Sequence, residues 1–234
     1  MYQLKITIRD SKPPIWRRVL VPEQIPFSEL HAVIQLAFGW NDEHLYMFEK
    51  GRKGDPGREY RVWGEDESMG NAAITPLWAA LQNEGDKLVY TYDFGDWWDC
   101  LIVLEKQTHD TSIQPVSCLR GKGTTPAENS GGLHGYNELL LQARKSDNPE
   151  QAEIHDFLML DIERRVYDLN NINDRLQALN GPASIPHQSL YQRHHYRAQR
   201  HTDRVNRSAR PLRWFHRRAV PDATHTLLHA PAAH

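Results

Sequence analysis

The sequence predicts an α+β fold, a mostly antiparallel sheet with a helix after the first hairpin and a C-terminal helical segment. Three observations carry that reading. Apolar residues alternate with polar ones over 2–8 and return, less regularly, over 15–21. Apolar residues then recur at helical spacing from Phe27 to Phe38. Further helical patterns gather between 136 and 179, behind two more strand-like runs, and no internal repeat is visible.

Tyr2, Leu4, Ile6 and Ile8 form the first strand pattern. Pro13-Pro14 breaks it, and Ile15 to Val21 reads as a second strand closed by Pro22. The short break predicts an antiparallel hairpin. Ser28 is placed as an N-cap, with Glu29 at the positive end of the helix dipole and Gly39 as the stop, giving a helix over 28–38. Leu45 to Phe48 is a strand candidate, and 51–58 is a turn-rich loop. Thr75 and Pro76 suggest a short helix over 76–81. Strands are expected at 87–92 and 98–104, with Asp93-Phe94-Gly95-Asp96 as the turn between them. The glycines of 119–135 read as loop. Three helices are expected to follow, at 136–144, at 149–158 with Asn148 as cap and Ile154, Phe157 and Leu158 buried, and around Ile172, Leu176 and Leu179. Gly181-Pro182 ends the last of them.

The 234 residues are 39% hydrophobic and 25% charged, enough for one core of ordinary size. No apolar run approaches the roughly 18 residues of a membrane span, and the start lacks the apolar stretch of a signal peptide. Two cysteines, Cys100 and Cys118, are too few for a disulfide scaffold, so a reducing cytoplasm is the expected compartment, with no membrane partner. The formal net charge of −2 conceals an asymmetry. Residues 181–234 hold nine Arg, no Lys and two Asp, a net +7, which leaves 1–180 at −9. The chain therefore divides into an acidic domain, 1–180, and a basic Arg/His-rich tail, 181–234.

The densest chemistry is Tyr92-Asp93-Phe94-Gly95-Asp96-Trp97-Trp98-Asp99, three carboxylates and four aromatics within eight residues. Such a turn can present acids between aromatic walls, and paired carboxylates can do acid–base work where their environments differ. Its structural alternative is that Asp93 and Asp96 satisfy turn backbone while Phe94 and Trp98 fill core. The second cluster is Trp40-Asn41-Asp42-Glu43-His44, just past the first helix. If His31, Asp42, Glu43 and His44 converge on the Asp93–Asp99 turn, they make a His/carboxylate metal site suited to hydrolysis, although the spacing matches no recognised motif. Most of Trp16, Trp40, Trp63, Trp78, Trp97 and Trp98 are expected in the core. Arg17-Arg18 reads as a strand pair with at least one exposed member.

Several motifs are excluded. Asp93-Phe94-Gly95 lacks the other kinase signatures. Gly121-Lys122-Gly123 lacks the first glycine and the hydroxyl residue of a phosphate loop. There is no dinucleotide fingerprint and no Gly-x-Ser-x-Gly.

The tail interleaves its arginines with aromatics, and Arg193, Arg197, Arg200, Arg213 and Trp214 are the residues expected to grip and stack nonspecific nucleic acid. The competing readings are a disordered solvated extension and a non-native end made by frameshift or read-through.

Residues 1–180 resemble the plasmid pRiA4b ORF-3-like family, which includes insertion-sequence passenger proteins labelled TnpR. The resemblance rests on Ile15-Trp16-Arg17-Arg18 with Val21-Pro22, on Phe27-Ser28-Glu29-Leu30-His31 with Ile34-Gln35, and on Gly39 through Leu45. It continues through Tyr92-Asp93-Phe94-Gly95-Asp96 with Trp98, Pro126-Ala127-Glu128-Asn129, Gly131-Gly132 and Gly135-Tyr136. It implies an α+β domain of its own fold type. The TnpR label names a resolvase, but nothing in the sequence looks like a serine-recombinase domain. Members often carry histidines where Tyr46 and Cys100 stand, an acid at Trp97, and cysteines at Thr125 and Ser130. If the family binds metal through those positions, this chain has lost several ligands.

The leading expectation is a cytoplasmic, non-enzymatic accessory protein of a mobile element, acting as a binding module for a protein or small ligand. Its contact residues would be Trp40, Asp42, Glu43, His44, Asp93, Asp96 and Trp98, with aromatics supplying area and carboxylates favouring a basic partner. The alternatives are a metal-dependent hydrolase, with a metal set built on His31, His44, Asp93 and Asp96 and completed by Asp42 and Asp99, and nucleic-acid binding through the tail. No complete catalytic motif is present, and no cofactor is specified.

Overall fold

A computed structural model describes residues 1–51, 59–61, 70–108, 115–144 and 149–180. The chain order is β1 (Tyr2–Ile8), β2 (Trp16–Val21), α1 (Phe27–Phe38), β3 (Tyr46–Glu49), β4 (Glu59–Arg61) and β5 (Gly70–Asn71). It continues with β6 (Lys87–Tyr92), β7 (Trp98–Gln107), β8 (Ser117–Lys122), α2 (Gly132–Gln142), α3 (Pro149–Met159), α4 (Ile162–Arg165) and α5 (Leu169–Leu176). The eight strands form one sheet in the order β5-β4-β3-β6-β7-β1-β2-β8. Every neighbouring pair is antiparallel except β4 with β5. The α+β expectation holds.

The first hairpin forms as predicted, from Tyr2 opposite Val21 to Thr7 opposite Trp16. The Ser11 hydroxyl closes its turn, donating to Ile8 O and accepting from Ile15 N at 2.6 and 2.9 Å. β1 lies between β2 and β7, so Leu4, Ile6 and Ile8 are buried in the middle of the sheet. Helix α1 buries Phe27, Leu30, Val33, Ile34 and Phe38. Each such side chain contributes about 1.5–3 kcal/mol of transfer free energy. The helix ends at Gly39, whose φ is 77°. A Cβ there would lie 2.2 Å from Arg164 O, so both conformation and space demand glycine.

Several local expectations are corrected. The N-cap of α1 is Pro26, and Ser28 sits inside the first turn. The stretch 76–81 makes only a 3-10 turn, Leu77–Ala79, because Pro76 takes the extended cap position and no side chain caps it. The glycine-rich 119–135 segment is not all loop. Its first part completes β8 through pairing with β2, where Gly121 and Arg17 lie opposite each other, and its end begins α2. Cross-strand pairing overrides the weak strand propensity of Gly121. Among the described residues the final helical region holds four α-helices where three were expected. Leu158, Ile172 and Leu176 are buried, whereas Ile154, Phe157 and Leu179 are half-buried. Asn148, Trp63 and the loop 52–58 lie outside the described residues, as does the whole tail from 181.

The outer edge of β8 is closed by side chains of the last helical segment. The Asn173 amide donates to Cys118 O and accepts from Cys118 N, at 3.0 and 2.7 Å. Asn180 repeats the pattern on Val116, at 3.1 and 2.8 Å. Two amides thus take the place of a neighbouring strand on alternate residues, which keeps the edge from pairing with another chain.

Arg17 departs from its sequence expectation. The expectation of an exposed arginine at 17 or 18 fails, because Arg17 is fully buried and Arg18 half-buried. All five Arg17 donors find acceptors: Ala37 O, Trp16 O, Lys122 O, Gly123 O and the Thr125 hydroxyl, at 3.0–3.2 Å. Its guanidinium also lies over the rings of Phe38 and Tyr167, at 5.0 and 5.2 Å. Burial pulls its pKa down to about 10. Arg18 instead forks onto Glu105, at 2.5 and 2.8 Å.

Candidate functional site

The two clusters singled out in the sequence meet at one end of the sheet. The loop after α1 runs from Gly39 to Leu45 and lies against the 93–97 turn that joins β6 to β7. Trp40 stacks on Tyr92 at 5.2 Å and on Phe38 at 5.4 Å, and it lies 6.1 Å from Trp98. Both Trp40 and Trp98 are 1% exposed. These two contact candidates are therefore core, and the expectation that they meet a partner is corrected. Burial of large rings outweighs their use at a surface. The expectation that most of the six tryptophans are core is also corrected: of the five that are described, only Trp40 and Trp98 are buried, Trp16 is half-buried, and Trp78 and Trp97 are exposed, Trp97 by 47%.

The acids and histidines sort into two local systems. His31, on α1, sits in a closed circuit. Gln35 Nε2 donates to the Tyr90 hydroxyl at 2.9 Å, and that hydroxyl lies 2.7 Å from His31 Nδ1. His31 Nε2 lies 2.7 Å from Asp42 Oδ1, and Asp42 N donates back to Gln35 Oε1 at 3.0 Å. Donors and acceptors match when the imidazole is neutral with its proton on Nε2, so that Tyr90 O–H donates to Nδ1. Tyr46 stacks on the ring at 3.5 Å. Desolvation pushes the Tyr90 phenol well above its ordinary range.

In the second system Glu128 ties three segments together. Its carboxylate accepts from the Tyr92 hydroxyl at 2.5 Å and from Asn41 N at 2.8 Å. The same hydroxyl accepts from Glu43 N at 2.9 Å. Burial raises the Glu128 carboxyl above the usual range, and burial with the neighbouring Glu128 charge raises the Tyr92 phenol far more. The phenol proton stays on Tyr92 and points at the carboxylate. Glu128, Tyr90 and Gln35 were missed as site residues. Only the family resemblance flags Glu128, and no spacing rule links 128 to 41 and 92.

The turn acids serve backbone. Asp93, at φ 58°, accepts from Gly95 N at 2.9 Å and lies 3.4 Å from His44 Nε2, at an angle that makes no hydrogen bond. Asp96 accepts from Gly131 N at 3.1 Å. Gly132, at φ 69°, follows, and a Cβ on it would fall 2.4 Å from Asp96 O. Asp99 accepts from the Thr91 hydroxyl at 2.6 Å and faces Arg9 at 3.9 Å. So the residues read as metal ligands divide into His31 with Asp42, His44 with Asp93, and Asp96 with Gly131. Both His31 nitrogens are engaged. Among the described residues no group of three or more His, Cys, Asp or Glu is arranged to hold a metal ion. The positions where the family often has other residues are also occupied differently. Cys100 is buried in β7 with its thiol pushed up by burial, Thr125 accepts from Arg17, and Ser130 donates to Ala127 O at 2.7 Å.

The backbone at this end is strained. Six described non-glycine residues have left-handed φ, and five of them, Asp10, Asp42, Asp93, Trp97 and Asn129, lie in the loops here. Trp97, at φ 54°, is the unusual one, since Asp and Asn visit this region readily and large aromatics do not. Beside it opens a cleft of about 380 Å³ lined by Ile8, Arg9, Asp10, Trp97, Asp99, His134 and neighbouring residues.

A mostly antiparallel sheet with a helix after its first hairpin, and two aromatic-acidic loops locked together at one end, makes up an α+β domain. The chain belongs to the plasmid pRiA4b ORF-3-like proteins, whose family model matches residues 1–175. It is 36% identical over 156 residues to the "Uncharacterized protein y4hQ" of Sinorhizobium fredii, covering 64% of this chain and 77% of that protein. The crystal structure of a "Protein of Unknown Function MM3350" from Methanosarcina mazei is similar with a TM-score of 0.61 and 31% identity, covering 73% of this chain and 96% of that one. No helix among the described residues is long and apolar enough to cross a membrane.

Proposed function

We propose that the domain is a binding module without a catalytic centre of its own, and that its contact surface is the loop end around Trp97. The observation that carries this reading is the concentration of left-handed residues and exposed apolar side chains there, with Leu45 and Trp97 each 47% exposed. Backbone strain costs on the order of 1–3 kcal/mol per residue and persists where function requires a side chain in a particular place. The inner acids hold the loops, which leaves Glu43 and the turn to face a partner. Residues 1–180 carry a net −9, so the partner is basic. The family's plasmid description supports, within the same proposal, an accessory role beside a mobile element.

The test is calorimetric titration of the full chain with an oligo-arginine peptide and a matched oligo-glutamate peptide. Binding of the oligo-arginine peptide, weakened by joint Glu43→Gln and Trp97→Ala substitution and unaffected by deleting 181–234, is expected, whereas any oligo-glutamate binding should vanish with that deletion. No oligo-arginine binding, or binding that the joint substitution leaves unchanged, would contradict the reading. Polyanion binding is a separate proposal for the tail, favoured by its nine arginines. It requires an affinity for DNA that falls steeply with salt.

A further inference from the structure

The cleft beside Trp97 is built differently from the rest of this end. Two of its lining residues, Asp10 and Trp97, have φ near 60° and 54°. Both are exposed. A purely structural residue at position 97 would be glycine or asparagine, which adopt this backbone without strain. A large ring would normally be buried to recover transfer free energy. Trp97 satisfies neither economy. Its ring contacts Phe94 at 5.6 Å between centroids and still leaves about half its surface in water.

The charges of the cleft complete the picture. Asp10 and Asp99 supply two carboxylates against the single cation Arg9, with His134 the other titratable lining group. Asp99 commits Oδ1 to the Thr91 hydroxyl, while Oδ2 is met by Arg9 at 3.9 Å, beyond hydrogen-bond length. Arg9 is half exposed, so the pair is loose and solvated. A half-exposed indole beside carboxylates with accepting capacity left is an arrangement that suits a planar cation. The guanidinium can stack on the ring and hydrogen-bond in its plane at the same time. Ammonium offers only a point charge.

We infer that this cleft receives an arginine side chain of a partner peptide, with Trp97 as the stacking wall and Asp10 and Asp99 as the acceptors. The inference rests on the reading of this loop end as the contact surface for a basic partner, and names the subsite within it. Asp10 is positioned by the first hairpin and Trp97 by the β6–β7 turn, so the subsite is assembled from two adjacent strands' ends.

The experiment titrates the full chain with a short peptide carrying one arginine, and with versions in which that residue is lysine or glutamine. Wild type is expected to prefer arginine, and to lose about tenfold or more in affinity on replacement by glutamine. Asp10→Asn keeps the left-handed backbone and should cause a comparable loss without changing the denaturation midpoint. Trp97→Gly is the decisive variant. It should weaken arginine binding and raise the denaturation midpoint, because glycine relieves the strain. A lowered midpoint with unchanged binding would make the ring a structural element and overturn the inference. Oligo-arginine binding that persists in Asp10→Asn and Trp97→Gly, but falls in Glu43→Gln, would overturn the cleft while leaving the broader reading intact. Loss of all oligo-arginine binding in wild type would remove both.

Discussion

The β2–β8 side of the sheet and the loop end around Trp97 treat charge and backbone in opposite ways. On the first, Arg17 is buried with every donor satisfied, and the Asn173 and Asn180 amides close the strand edge. On the second, a tryptophan stands half in water on strained backbone, and a carboxylate oxygen faces a loose cation. Polar groups on the first side complete the fold. Those at the cleft are left with capacity to spare. The difference locates function: a region whose hydrogen bonds are all internal has little to offer a partner, whereas strain and unsaturated groups mark where the fold has yielded to another demand.

The largest loss is expected at Arg17. Arg17→Met leaves four carbonyls and a hydroxyl without their donor, so chemical denaturation should show a loss of about 3 kcal/mol or more. A loss below about 1 kcal/mol would mean that the network is replaceable by water. Asn173→Ala strips the partner from both polar groups of Cys118 and should cost about 1–3 kcal/mol by the same measurement. Size-exclusion chromatography of that variant should also show self-association if the edge is then free to pair.

Glu105→Gln tests the half-buried member of the arginine pair, Arg18. The hydrogen bond from Arg18 holds the Glu105 carboxyl below its ordinary range. A depressed folded pKa contributes stability above the unfolded value and loses it as pH falls through the folded value. The variant should therefore be about 1 kcal/mol less stable than wild type near neutral pH, and the gap should close in acid below the ordinary carboxylate range. A gap that is constant with pH would remove the ion pair as its cause. The smallest stability effect belongs to Trp97→Ala, within about 0.5 kcal/mol of wild type, because the ring is already about half in water and relief of the left-handed backbone offsets part of what is lost. Its effect should appear in binding.

Much of the sheet could be read in advance because period-2 alternation and turn chemistry are local. β1, β2, β6 and β7 fall close to where Tyr2–Ile8, Ile15–Val21, Lys87–Tyr92 and the run from Trp98 suggest them. β8 was hidden because Gly121 looks like a loop residue until Arg17 is seen opposite it. α4 was hidden because four residues carry no periodicity. At the site, the meeting of the 40–44 and 93–98 clusters was visible as chemistry, but the division of labour inside it was not. Trp97 and Trp98 are adjacent and chemically identical, yet Trp97, at left-handed φ in the turn, is half-exposed while Trp98, the first residue of β7, is buried. Glu128 became a partner of Asn41 and Tyr92 solely through the path of the chain before α2.

The most direct test of a working loop end and a structural β2–β8 side is NMR mapping of the full chain against a single-arginine peptide. Backbone shifts are expected to concentrate on residues 9–10, 96–99 and 133–137, with the Trp97 indole signal moving and the amides of 116–122 and 169–176 unchanged. Shifts confined to β8 and α5, or spread evenly over the sheet, would contradict it.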